Sequence, residues 1–119
     1  MLGISFNNDD ELYILVNILS MKYTVKKTDE FDKWQNNIKD RLAKQMVSVR
    51  ILRAEQGNFG KHKAIRNGIS EMKIDIGKGY RIYYTIRQQE IIFLLCGGDK
   101  STQQQDIKRA IELSEKLYE

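Results

Sequence analysis

The stretch from Ile69 to Ile86 reads ISEMKIDI, GKG and YRIYYTI, two alternating runs about a glycine-flanked turn, and it constrains the fold more than any other part of the chain. Alternation at period two sends successive side chains to opposite sides of a strand, and the glycines offer backbone conformations closed to other residues. The two runs therefore predict a β-hairpin. With Gly77, Lys78 and Gly79 as the loop, Ile76 stands opposite Tyr80, Ile74 opposite Ile82 and Met72 opposite Tyr84, an all-apolar face. The other face then sets Asp75 against Arg81, Lys73 against Tyr83 and Glu71 against Thr85. A shorter loop would place Ile76 against Arg81 and mix the faces, so burial of one face selects the register. Glu90 to Cys96, EIIFLLC, is apolar on both faces and predicts an interior strand that extends the hairpin into a meander.

Other elements follow from changes of period. Residues 21 to 27, MKYTVKK, alternate Met21, Tyr23 and Val25 with polar residues, the pattern of a half-buried strand. From Asp29 the apolar positions Phe31, Trp34, Ile38, Leu42, Met46, Val49 and Leu52 recur at three and four, with Asp29, Glu30 and Asp32 in the first turn. A single helix up to Gly57 would be roughly 42 Å long at about 1.5 Å per residue, wider than a small domain. A break near Lys39 to Arg41 and a helical hairpin are expected instead. GNFGKHKAI, around His62, reads as a loop. After the interior strand, Ser101 and Gln104 match a capping box that opens a last amphipathic helix, with Ile107, Ala110, Ile111, Ser114 and Leu117 on one stripe. The expected fold class is α+β, a small antiparallel sheet with a helical hairpin on one face and a C-terminal helix.

A chain of 119 residues with 41% hydrophobic residues and no proline suffices for one core and not for two. Cys96 stands alone and His62 is the sole histidine, so neither an internal disulfide nor a Cys/His zinc set can be built. The reducing cytoplasm is the expected compartment. The longest uncharged apolar run, Leu12 to Leu19, is far short of the roughly 20 residues of a membrane span. Residues 1 to 20 hold Asp9, Asp10 and Glu11 and no base, which excludes the basic start of a signal peptide. They read as an extension ahead of a domain at 21–119 whose 20 basic residues face 13 acidic ones.

Chemistry-bearing residues gather in the sheet region. Lys61, Lys63, Arg66, Lys73, Lys78, Arg81, Arg87 and Lys100 outnumber Glu71, Asp75, Glu90 and Asp99 between Gly60 and Lys100. The polar hairpin face presents Lys73, Arg81 and Tyr83 together, and Lys100 follows the interior strand onto the same rim. Cations beside an aromatic suit a phosphate backbone. An ordinary solvated face, with Arg81 merely paired to Asp75, would look the same in sequence. His62 lacks a partner at any known catalytic spacing, Ser101 is accounted for by capping, and Cys96 at the end of an apolar strand is expected to be buried and inert. Neither GKG nor GGDK has the spacing of a P-loop.

FDKWQ, RILRAEQGNFGKHKAI, GISEMKIDIGKGYRIYY and LLCGGDKSTQQQDIKRAIEL, in this order, resemble the addiction-module killer, HigB-like branch of the RelE/ParE toxin superfamily over residues 21 to 119. The resemblance implies a RelE-like α+β fold and a toxin of a type II toxin–antitoxin module that cuts messenger RNA on the ribosome. It implies a metal-independent endoribonuclease with no cofactor, neutralised by a cognate helix-turn-helix antitoxin encoded adjacently. By position it implies catalytic roles for Lys73, Arg81 and Lys100, with Glu71 where a lysine is usual and Glu71 or Asp99 as acceptor of the 2′-proton, and it leaves Tyr83, Asp99 and His62 as candidates without a family equivalent. Lys61, His62, Lys63, Arg66, Lys78 and Arg87 are the expected RNA-binding residues. The competing readings are a ParE-like inhibitor of DNA gyrase and a basic RNA-binding module without chemistry.

Overall fold

The computed structural model describes residues 8–19 and 22–117. A five-stranded sheet of order β1-β5-β4-β3-β2 is built from β1 (Thr24–Lys27), β2 (His62–Arg66), β3 (Ile69–Ile74), β4 (Tyr80–Arg87) and β5 (Ile91–Gly98). Helices α2 (Asp29–Asn36) and α3 (Arg41–Glu55) cover one face, and α4 (Gln103–Glu115) packs on the other. Helix α1 (Asn8–Leu19) precedes β1, with Leu12, Tyr13 and Leu15 exposed. The boundary drawn at 20/21, and Met21 as the first residue of a strand, lie outside the described residues.

The mixed architecture matches the expected α+β class, with one addition. Strand β1 begins at Thr24 and runs parallel to β5, Val25 beside Ile92, so the sheet is antiparallel only from β5 to β2. That edge pairing is what makes β5 interior, as its two apolar faces required.

The hairpin forms, but its register differs from the expectation by two residues. Met72 pairs with Ile82, Ile74 with Tyr80, Lys73 with Arg81 and Glu71 with Tyr83. The connection is the five-residue loop between Ile74 and Tyr80, closed by Ile76 N donating to Ile74 O and Gly79 N to Ile76 O. Gly77 and Gly79 hold φ of 54° and 75°, which only glycine adopts without strain. A shift of two preserves the faces, so Met72, Ile74, Tyr80, Ile82 and Tyr84 still join one apolar core. Arg81 no longer meets Asp75.

The helical hairpin breaks at residues 37–40, where Asp40 caps α3 by accepting from Ala43 N. Its buried side is not the one read from the large residues. Ala43, Val47, Arg50, Ile51 and Ala54 face the sheet, whereas Leu42 and Leu52 are 57% and 60% exposed. Two alanines on the inner side let the helix approach the sheet closely. The segment read as a loop around His62 is instead β2, antiparallel to β3 with an irregularity between Ala64 and Arg66. The C-terminal cap also moves. Asp99, not Ser101, caps a 3-10 turn (Lys100–Thr102) through Ser101 N at 2.8 Å, and the turn runs directly into α4.

The second core joins Ile69, Tyr83, Leu95 and Cys96 to Ile107 and Ala110 of α4. Arg109 of α4 grips Glu30 of α2 with bonds of 2.7 to 3.1 Å, tying the two helical layers together.

Candidate functional site

Alternation along β3 and β4 places Glu71 and Lys73 beside Tyr83 and Arg81 on the face away from α3. Helix α4 covers the β4 and β5 part of that face. Beyond it, β2 leaves an open cleft of about 210 Å³ lined by Lys61, His62, Lys63, Glu71, Lys73 and Arg81.

The near side of the cleft is fixed from beneath. Arg50, buried in α3, donates to Lys73 O at 2.7 Å, to Phe59 O at 2.9 Å and to Lys61 O at 3.3 Å. Burial, the largest influence, lowers its pKa from the ordinary value, and three backbone acceptors partly replace the lost water. The Phe59 ring stacks on Tyr84 at 5.4 Å, which seats the chain entering β2. His62 turns its Nδ1 to Gly60 O at 2.8 Å and keeps its ring against Phe59. The stripe of large residues, Leu42, Met46 and Leu52, points α3 with its other side inward and so hides Arg50 from a reading of the sequence. An arginine flanked by Val47, Ile51 and Ala54 at helical spacing was the available signal.

Acids pair with all four cations lining the cleft. Lys61 and Lys73 share Asp75 at 2.9 and 3.3 Å, and those contacts, the Lys61 hydrogen bond foremost, hold the Asp75 carboxyl below its usual range. Lys63 Nζ lies 3.9 Å from Glu71 Oε2. Arg81 Nε sits 2.5 Å from Glu71 Oε1, with both side chains buried. The contact lacks hydrogen-bond geometry, and Arg81 Nε and Glu71 Oε2 are left without hydrogen-bond partners. Arg81 was expected on an open polar face beside Asp75. It is instead a buried residue held by Glu71.

The remaining sequence candidates are dispersed. Tyr83 is fully buried under α4 with its hydroxyl unpartnered, and burial above all, then the neighbouring Glu71, raises its pKa. Lys78, Asp99 and Lys100 line a separate shallow cleft with Ser101. Asp99 is held ionised by its bonds from Ser101, which makes it a cap. That second cleft adjoins the first at Gly79, where an added Cβ would stand 4.0 Å from both Arg81 Nη1 and Lys100 Cβ. Arg66 is exposed at the end of β2. Arg87 reaches Ser114 O and Oγ at 3.2 and 3.0 Å, bracing α4. Cys96 is buried as expected, and burial pushes its thiol up to about 12, so it is inert.

With this geometry, a comparison with known families finds that residues 29–119 match "Phage derived protein Gp49-like". The chain belongs to this Gp49-like family. The family is one of RelE-like toxins of toxin–antitoxin modules, which places the Gp49-like chain among such toxins, with an antitoxin as the kind of partner they have. An uncharacterised protein of Haemophilus influenzae is similar to the Gp49-like chain at 44% identity over 97 residues, 82% of this chain and 98% of the relative. Among the described residues no helix is long and apolar enough to cross a membrane.

Proposed function

We propose that this Gp49-like toxin arrests translation by cutting messenger RNA on the ribosome, without a metal, in the cytoplasm. A cognate antitoxin, a helix-turn-helix protein encoded adjacently, would silence it. The observation that carries the reading is the convergence of Lys61, His62, Lys63, Lys73 and Arg81 on one cleft with a carboxylate, Glu71, at its floor. Such a set fits attack of a ribose 2′-hydroxyl on the adjacent phosphodiester. The O2′–P bond forms as the P–O5′ bond breaks, giving a cyclic phosphate and a free 5′-hydroxyl. Lys61, Lys63 and Lys73 hold the phosphate, Arg81 offsets charge on the phosphorane, and Glu71 accepts the 2′-proton. Lys100 stands next to this set and gives a proton to the leaving O5′, which completes the 5′-hydroxyl, with Asp99 fixing its loop. The ribosome supplies alignment of the message.

A second reading, a ParE-like gyrase inhibitor, is favoured by one observation: acids pair with every cation lining the cleft, as suits a face that has no phosphate to hold. One experiment separates the two. Purified protein is added to a translation reaction and message ends are mapped by primer extension, with a parallel gyrase reaction on plasmid. New ends that require ribosomes support the nuclease, and linear plasmid supports the gyrase inhibitor. Binding of RNA that leaves both intact would indicate a module without chemistry.

A further inference from the structure

The lysines without acids lie next to the cleft rather than in it. Among the described residues Lys39, Lys78 and Lys100 have no carboxylate within ion-pair distance, whereas every cation lining the cleft has one. All three are exposed. Lys78 and Lys100 line the shallow cleft beyond Gly79, and Lys78 also lines a groove of about 670 Å³ with Lys39, Trp34, Ile38 and Tyr80. Asp40 and Asp99 border this groove too, and each already caps a helical turn, Asp40 accepting from Ala43 N and Asp99 from Ser101 N. Gly79 is the saddle between the two sides. It carries no side chain, and its carbonyl accepts from Arg81 Nη1 at 3.2 Å, so a strand can pass from Arg81 to Lys100 unobstructed.

Trp34 gives the groove an aromatic wall. Its ring rests on the bare backbone of Gly97, where any side chain would collide with it, and on the Phe31 ring at 5.5 Å. That support fixes the ring, and part of its surface stays open to the groove. A fixed aromatic beside uncommitted lysines takes a nucleobase by stacking and the flanking phosphates by charge. Continuity with the cleft favours nucleic acid over a peptide here, because one strand can occupy both.

We propose that this groove holds the nucleotides on the 3′ side of the cut, with a base stacked on Trp34 and phosphates on Lys78 and Lys39. This rests on the cleft being the site of cleavage and adds the direction in which the strand lies. The attacking 2′-hydroxyl belongs to the nucleotide 5′ of the broken bond, and the leaving O5′ to the nucleotide 3′ of it. With Glu71 taking the 2′-proton at the floor and Lys100 beside O5′, the 3′ flank leaves over Gly79 toward Trp34. The 5′ flank leaves over Lys61 and Lys63.

Trp34 is the sole tryptophan, so its indole Nε1–H gives one resonance in the full 15N-labelled chain. The test titrates that chain at low salt, without ribosomes, with a short oligoadenylate RNA carrying a nitroxide at its 3′ or its 5′ end. The 3′ nitroxide is expected to broaden the indole resonance, and the 5′ nitroxide the amides of Lys61 and Lys63. Lys78→Ala and Lys39→Ala should each lower the slope of log affinity against log salt by about 0.7, the share of one phosphate on a single strand. Trp34→Leu should bind about tenfold more weakly, while Trp34→Phe, which keeps a ring, stays near the wild type. Should Trp34→Leu not fold, the lysine variants and the nitroxide titrations decide. An indole untouched by either strand, or broadened by the 5′ nitroxide in place of the 3′ one, overturns the proposal. Ribosome-dependent cleavage with an untouched indole would remove the groove and leave the nuclease standing, whereas a 3′-responsive indole without cleavage would keep the groove and remove the nuclease.

Discussion

The two sides of the β3–β4 hairpin are buried by opposite means. Toward α3, Met72, Ile74, Tyr80, Ile82 and Tyr84 interlock as plain hydrocarbon and aromatic packing. Toward the cleft, Glu71 and Arg81 are buried almost as completely but by mutual charge. A packed methyl group lost from the first side leaves a small void, whereas a partner lost from the second leaves an ion without water. The polar side of the hairpin should therefore be the more fragile one, although it is the side that faces the site.

The sharpest test of that contrast is Arg81→Ala, expected to lower unfolding free energy by about 3–5 kcal/mol because Glu71 stays buried with only the distant Lys63 ammonium, at 3.9 Å, to offset its charge. Replacing both residues, Glu71→Leu with Arg81→Met, should recover most of this loss in chemical denaturation while abolishing binding of RNA. If the single and double variants unfold alike, the pair is not the source of the fragility. On the apolar side, Ile82→Val should cost only about 0.5–1.5 kcal/mol despite complete burial. A larger cost there than for Arg81→Ala would invert the comparison.

Smaller effects sharpen it further. Asp99→Ala removes a helix cap and should cost about 1 kcal/mol, read as a shift in the denaturation midpoint, with cleavage impaired only as far as Lys100 is misplaced. The smallest change in stability is expected for Asp75→Asn at the rim. Its carboxyl titrates below the ordinary range, so whatever its lysine contacts contribute is present above the unfolded pKa and lost as pH falls through the depressed folded one. Exposure screens that contribution. The clearer readout is RNA binding, which should tighten at low salt as Lys61 and Lys73 are freed. An unchanged salt dependence would show that Asp75 does not compete for them.

The same contrast explains how far the sequence could be read. Alternation assigns faces, and it placed Met72, Ile74 and Ile82 together without the structure. It cannot tell a register from one two residues away, because both keep the same faces; the loop decided that, and Ile76 belongs to the loop rather than the ladder. Large apolar residues drew α3 the wrong way round, since Leu42 and Leu52 are more hydrophobic than the Ala43 and Ala54 that let the helix come close. Strand β2 is not legible because HKAIR lacks clean alternation, and its pairing comes from β3. Of the candidate site, Lys61, His62, Lys63, Glu71, Lys73 and Arg81 share one cleft. The partner of Arg81 is Glu71 and not Asp75 because the register lies two residues from the expected one, which alternation alone allows equally.

The paired glycines at the end of β5 have a mechanical consequence. A Cβ on Gly97 would lie 2.3 Å from the Trp34 ring of α2, and one on Gly98 would lie 1.8 Å from Asp106 Oδ2 of α4. Here a bare backbone lies against both helical layers, which also clasp each other through Arg109 and Glu30. Force applied to α4 is therefore transmitted to α2 across one peptide thickness. A protein that pries α4 away would strain the opposite layer as well, so the two helices should yield together, as one jaw.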